Sequence, residues 1–213
     1  MNTVVRPAPA FPTGPLRLAG LVGSLRRDSH SRAVMDGLEA ALPPGIGIEV
    51  ADIRLPLYNA DEDGADACIP VRRLRRTIAE ADGLLVVTPE YNHGIPGPLK
   101  NALDWASRPR DSSALRDKPV LVVSSSPGMA GGMRAHAQLV DMLRAVRARI
   151  PPGRKVIISN VHEKIVDGWL TDEIALESAM DAIDDLAEAI WLGKRSADRP
   201  LADPAFPEVV FGP

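Results

Sequence analysis

The chain has 213 residues, of which 45% are hydrophobic and 25% charged, a formal net charge of −3 and a single cysteine, Cys68. That length suits one domain with a full core, the mild charge leaves no broad basic field for nucleic acid, and one cysteine excludes an internal disulfide or a redox pair. No run approaches the roughly 20 apolar residues needed to span a bilayer. The opening MNTVVRPAPAFPTGP is broken by prolines, unlike a signal peptide, so the expected location is cytoplasmic.

Residues 1–15 predict a Pro-rich arm. Leu16 to Val22 is a short apolar run, as expected of a strand buried on both faces. It runs into Gly23-Ser24-Leu25-Arg26-Arg27-Asp28-Ser29-His30-Ser31-Arg32, and a helix follows until Pro43-Pro44-Gly45 stops it. Ile46 to Ile53 alternates like a second strand, and Leu55 to Ala67 reads as a long acidic loop. Ile69 to Ala81 is a second helix, with Val71, Leu74 and Ile78 inward and its arginines mostly on a solvated face.

Leu84 to Thr88 is a third strand, ending in TPEYNHGIPGPLKNALDW. Three prolines and two glycines make this a stiff loop around Glu90, Tyr91, Asn92 and His93. The next helix has Pro98 in its first turn, where the missing amide costs little. Lys118 to Ser125 is a fourth strand, leading into a Gly-rich loop and a helix to about Arg149. Lys155 to Ser159 is a fifth strand, and Asp172 caps a last helix. The domain spans 16–195, and the Pro-rich tail 196–213 is expected to cross the surface, or a partner subunit, in extended form.

Such alternation indicates an α/β, flavodoxin-like three-layer fold: a five-stranded parallel sheet in the order 2-1-3-4-5 with helices on both faces. In that order the switch point lies between strands one and three. The loops Gly23–Arg32 and Pro89–Gly97 then share one crevice, and the loop after strand four joins from the side.

Ser24, Arg26, Ser29, Ser31 and Arg32 lie between a strand end and a helix start, where free amides and the helix dipole attract an anion. Hydroxyls and arginines suit a terminal phosphomonoester; Ser29 or Ser31 equally suits a plain N-cap. The stretch matches neither the G-x-x-x-x-G-K-[ST] nor the G-x-G-x-x-G nucleotide loop. His30, His136 and His162 show no metal-ligand spacing with carboxylates, so no metal is expected. His93 reads more readily as a packing or hydrogen-bonding residue than as an acid or base, and Glu90 as orienting the loop.

GSLRRDSHSR, LPLYNAD and PEYNHGIPGPLKNALDW together resemble the NADPH-dependent FMN reductase family, and within it the bacterial quinone and chromate reductases. The likeness runs from about Leu18 to Arg149. It implies that Ser24, Arg26, Ser29 and Ser31, with Arg32, hold the FMN phosphate, and that Pro89, Glu90, Tyr91 and Asn92 line the isoalloxazine. Ser125, Ser126 and Gly131 would close the other side. It also implies ping-pong transfer of two electrons from NADPH, through FMN N5, to quinones, chromate, azo compounds, nitroaromatics or free flavin. No protein nucleophile is required. A homodimer or homotetramer is implied too, with Tyr91 and Trp105 near the contact. Two positions depart from the pattern: members commonly carry asparagine where Ser31 stands and often serine where Gly94 stands. The rival readings are a flavodoxin-type electron carrier, which the Arg26–Arg32 loop and mild charge speak against, and a non-catalytic module of the same fold.

Overall fold

The structure is a computed structural model that describes residues 15–64 and 67–197. The N-terminal arm and the C-terminal tail lie outside the described residues except for residues 15, 196 and 197. Five strands, β1 (Leu16–Val22), β2 (Ile46–Val50), β3 (Gly83–Thr88), β4 (Val120–Ser125) and β5 (Val156–Ile158), form one sheet in the order β2-β1-β3-β4-β5. Every pair is parallel, with Leu21 opposite Val86 and Val86 opposite Val122. Every residue of β3 and β4 is buried, as both faces are covered.

The helices α1 (His30–Ala41), α2 (Ile69–Glu80), α3 (Gly97–Ala106), α4 (Met133–Ala145) and α5 (Glu173–Ala197) split between the faces. On one face Val34, Met35 and Leu38 of α1 and Ile183, Leu186 and Ile190 of α5 pack on Leu18, Leu85 and Val123. On the other, Leu74, Leu99, Leu103, Leu139 and Leu143 pack on Leu21, Val86 and Val122. Alternate residues of each strand thus feed opposite cores. No helix among the described residues is long and apolar enough to cross a membrane.

Three elements depart from the sequence pattern. β2 ends at Val50 rather than Ile53, because the Asp52 carboxylate accepts the Arg54 N–H (2.9 Å) and turns the chain. α4 ends at Ala145 rather than near Arg149, since Arg147 takes φ 66° and the Ala148 N–H reaches back to the Leu143 carbonyl (2.9 Å). This is a Schellman closure made without glycine, so composition does not announce it. A hairpin, β6 (Ile165–Val166) and β7 (Trp169–Leu170), was not expected, although Asp167-Gly168 (φ 50° and 83°) is a strong hairpin dipeptide. It packs on α1 at Gly37, where an added Cβ would lie 2.7 Å from Leu170 Cβ and 2.8 Å from its carbonyl oxygen.

The acidic loop is held by α3, the helix that follows the loop after β3. Asn101 Oδ1 accepts the Tyr58 N–H (2.8 Å), and both Asn101 Nδ2 (2.8 Å) and Trp105 Nε1 (2.9 Å) donate to the Pro56 carbonyl. Trp105 is buried edge-on to Tyr58, at 4.9 Å between centroids, beneath the Arg75 guanidinium, which also pairs with Asp63 (2.5 Å).

Candidate functional site

Three loops leave the carboxyl edge of the sheet side by side: those after β1, β3 and β4. The first two are tied directly, since the Ser24 hydroxyl and the Tyr91 phenol share a 2.9 Å hydrogen bond. The Gly23 N–H also donates to the Val87 carbonyl (2.8 Å). A Cβ at Gly23 would lie 2.9 Å from Thr88 Oγ1 and 3.1 Å from Pro89, so the strand ends approach closely only because that side chain is missing.

In the loop after β1, the Ser24 hydroxyl accepts the Arg26 N–H (3.3 Å), and the Arg26 guanidinium folds back on the Asp28 carbonyl. Ser29 is the N-cap of α1, its hydroxyl accepting the Arg32 N–H at 3.4 Å. Arg32 turns along the helix to Asp36 (2.7 Å). Ser31 sits in the first turn, 1% exposed. Of the five candidate phosphate-binding residues of this loop, Ser24 and Arg26 therefore remain with groups to offer, together with the backbone.

The loop after β3 is a two-residue turn. Tyr91 and Gly94 exchange both backbone hydrogen bonds (2.9 and 3.0 Å), and Asn92 and His93 take φ 50° and 65°. These are the signs of a type I′ turn, a left-handed conformation that Asn and His accept more readily than most residues. Its base is fixed by Glu90, whose side chain is 12% exposed. Its carboxylate accepts the backbone N–H groups of Arg134 (3.0 Å) and Ala135 (3.2 Å) at the start of α4. Burial by itself would raise its pKa, but the bonds from Ala135 and Arg134, then His93 and the Arg134 charge, hold it below the usual carboxylate range. Arg134 Nη1 also reaches His93 Nδ1 (3.0 Å). Glu90 thus caps α4 and locks the loops after β3 and β4 together.

The loop after β4 turns at Gly131 and Gly132 (φ 58° and 84°). Ser125 is buried, and Ser126 accepts the Gly128 N–H (3.1 Å). Among the described residues the buried hydroxyls of Ser31, Ser124 and Ser125 have no hydrogen-bond partner. An unsatisfied buried hydroxyl costs roughly 1–3 kcal/mol, so three of them, one in the first turn of α1 and two at the end of β4, mark an edge of the sheet that remains short of polar partners. Ser124, which opposes Thr88 on β3, opens the Ser124–Gly132 loop that the resemblance sets beside the ring, but sequence reasoning does not single it out because it reads as an interior strand residue. Gln138 escapes it too: it lies on α4, yet its Oε1 accepts the Ile95 N–H at 2.7 Å. Among the described residues no group of three His, Cys, Asp or Glu side chains could hold a metal.

A sequence model of the NADPH-dependent FMN reductase family matches residues 16–163, which include all three loops. The chain belongs to this family. A relative named 2-hydroxy-1,4-benzoquinone reductase, from a Burkholderia species, is 45% identical over 125 residues, covering 58% of this chain and 68% of that protein. An NAD(P)H-dependent FMN reductase of Pseudomonas aeruginosa is 37% identical over 164 residues, covering 76% and 88%. The solved structure of an NAD(P)H:(acceptor) oxidoreductase flavoenzyme from Paracoccus denitrificans superposes with a TM-score of 0.72 at 34% identity, covering 84% of this chain and 98% of that one. An FMN reductase of this family uses FMN with NAD(P)H, and the donor set fits that cofactor. Backbone amides, hydroxyls and Arg26 suit a phosphate, and a glycine-lined loop suits a flat ring.

Proposed function

We propose that this chain is an FMN-dependent NAD(P)H:quinone oxidoreductase working by a ping-pong scheme, with chromate, azo compounds and free flavin as further acceptors. The observation that carries the reading is the junction of the loops after β1 and β3 through Ser24 and Tyr91, placed at the switch point where such sheets bind ligands. FMN, when bound, supplies the two-electron chemistry at N5. The chain supplies position and electrostatics.

In this reading Ser24, Arg26 and the free amides before α1 hold the phosphate, and Ser29 acts through its cap rather than by contact. Ser31, whose hydroxyl is buried in the first turn of α1, contacts the phosphate only after a local rotation, and Arg32 adds long-range charge. Pro89, Glu90, Tyr91 and Asn92 present backbone groups to the ring, while Ser125, Ser126 and Gly131 close the far side. Glu90 is a positioning residue, because its carboxylate is committed to α4. A homodimer or homotetramer and a cytoplasmic location belong to the same proposal.

The test is an anaerobic visible spectrum of protein loaded with FMN and freed of excess. A retained flavin band that bleaches with NADPH and returns with a quinone supports the reading. A retained band that NADPH leaves unbleached points to an electron carrier. With no retained band, NADPH turnover in excess free FMN separates a loosely holding reductase from a non-catalytic module.

A further inference from the structure

The amino edge of the sheet carries a second polar cavity, of about 380 Å³, between the segment after α3 and the end of α4. Four arginines line it, Arg108, Arg110, Arg116 and Arg147, against one carboxylate, Asp111. Among the described residues none of the four forms an ion pair, whereas Arg32, Arg75 and Arg154 are paired with Asp36, Asp63 and Asp181. Arg108 and Arg116 are half-buried, and Arg110 and Arg147 are exposed at the rim. Arg116 donates to the Asp111 carbonyl (3.3 Å), which keeps its guanidinium beside the cavity.

Four guanidiniums bordering one cavity with a single carboxylate repel one another, and the partial burial of Arg108 and Arg116 reduces the screening that water provides there. α3 and α4 both end here, and their C-termini offset about one positive charge in total. The remaining excess stands in a protein whose net charge is negative. Arg147 also holds a left-handed backbone at φ 66°, a conformation costing on the order of 1 kcal/mol or more in a residue other than glycine.

We propose that this cavity is an anion site for a diphosphate, either free pyrophosphate or the diphosphate of a nucleotide. A planar guanidinium binds phosphate oxygens in pairs, and four from two segments match an anion carrying several charges. The site is separate from the flavin crevice. α3 and α4 start at the carboxyl edge and run back across the sheet, and the 13 residues of α4 alone span roughly 20 Å. An occupant would tie the 107–116 segment to the end of α4.

The experiment is calorimetric titration of the FMN-saturated protein with pyrophosphate and, separately, with ADP. One saturable, salt-sensitive site is expected. In R108Q/R147Q and in R147G, binding should weaken about tenfold or more, as expected when charge-assisted bonds are lost. The visible flavin spectrum and NADPH oxidation should not change. R147G relieves the left-handed strain, so it stays folded while losing the charge. R26Q, in the loop after β1, should bind pyrophosphate as wild type does. Tighter binding of ADP than of pyrophosphate assigns the site to a nucleotide, and equal binding assigns it to free diphosphate. The proposal is overturned if wild type shows no binding, if R147G and R108Q/R147Q bind as wild type does, or if R26Q alone abolishes binding.

Discussion

Glu90 shows how one carboxylate organises the crevice. Its folded pKa is depressed, so its contribution to stability is full above the unfolded carboxylate value of about 4.3 and is lost as pH falls through the lower folded value. Denaturant titrations of wild type and Glu90→Gln should therefore differ at pH 7 by about 0.5–2 kcal/mol, the usual worth of a cap. The gap should close in acid below pH ~4. An equal gap at both pH values would remove the carboxylate from this role. Gly94 belongs with Gln138. A Cβ at Gly94 would lie 2.9 Å from Gln138 Oε1, the atom that accepts the Ile95 N–H. The glycine thus makes room for a hydrogen bond that serine in the same place would crowd. Gly94→Ala and Gln138→Ala should each cost roughly 1 kcal/mol, and the double variant should cost clearly less than their sum. Simple additivity in a double-mutant cycle would disprove the coupling.

At the scale of elements, α3 works as a clamp. Asn101 and Trp105 stand one helical turn apart and hold the 55–67 loop by its backbone. Asn101→Ala leaves the Tyr58 N–H unpaired in a half-buried place and should cost about 1–3 kcal/mol. Limited proteolysis should then cut first within 55–67. α1 and the β6–β7 hairpin form a second such joint. Glycine inside a helix is normally worse than alanine by about 1 kcal/mol, yet Gly37→Ala should destabilise, because its Cβ would meet the Leu170 backbone at 2.8–2.9 Å. A thermal melt of Gly37→Ala at or above the wild-type midpoint would contradict that contact.

For the whole molecule, the crevice is built from three loops that the sheet merely brings together, and an occupant should brace them all. FMN at about one hundred times its dissociation constant should add ~2.7 kcal/mol, raising the melting midpoint by roughly 5–10 °C for a domain of this size. The same rise should be seen in R147G and in R108Q/R147Q, since the arginine-lined cavity is at the opposite edge. An unshifted midpoint at saturating FMN would deny that the loops close on flavin.

The alternation of apolar strands with helical stripes determined the five-stranded parallel order, because strands buried on both faces and helices buried on one leave different periodicities. Local chemistry likewise marked the PEYNHG turn, the Asp172 cap and the two loops that meet at the switch point. Long-range partnership left no such mark. That Glu90 caps a helix some forty residues away and that Gln138 serves Ile95 depend on which segments the fold sets side by side. The end of α4 was hidden for a related reason: Arg147 adopts a glycine-like backbone that only the returning chain, bonded from Asp117 to its carbonyl at 2.9 Å, holds in place. A sequence records each residue's own preferences, whereas the energy of a cap, a clamp or a cluster of like charges belongs to neighbours that only the tertiary structure supplies.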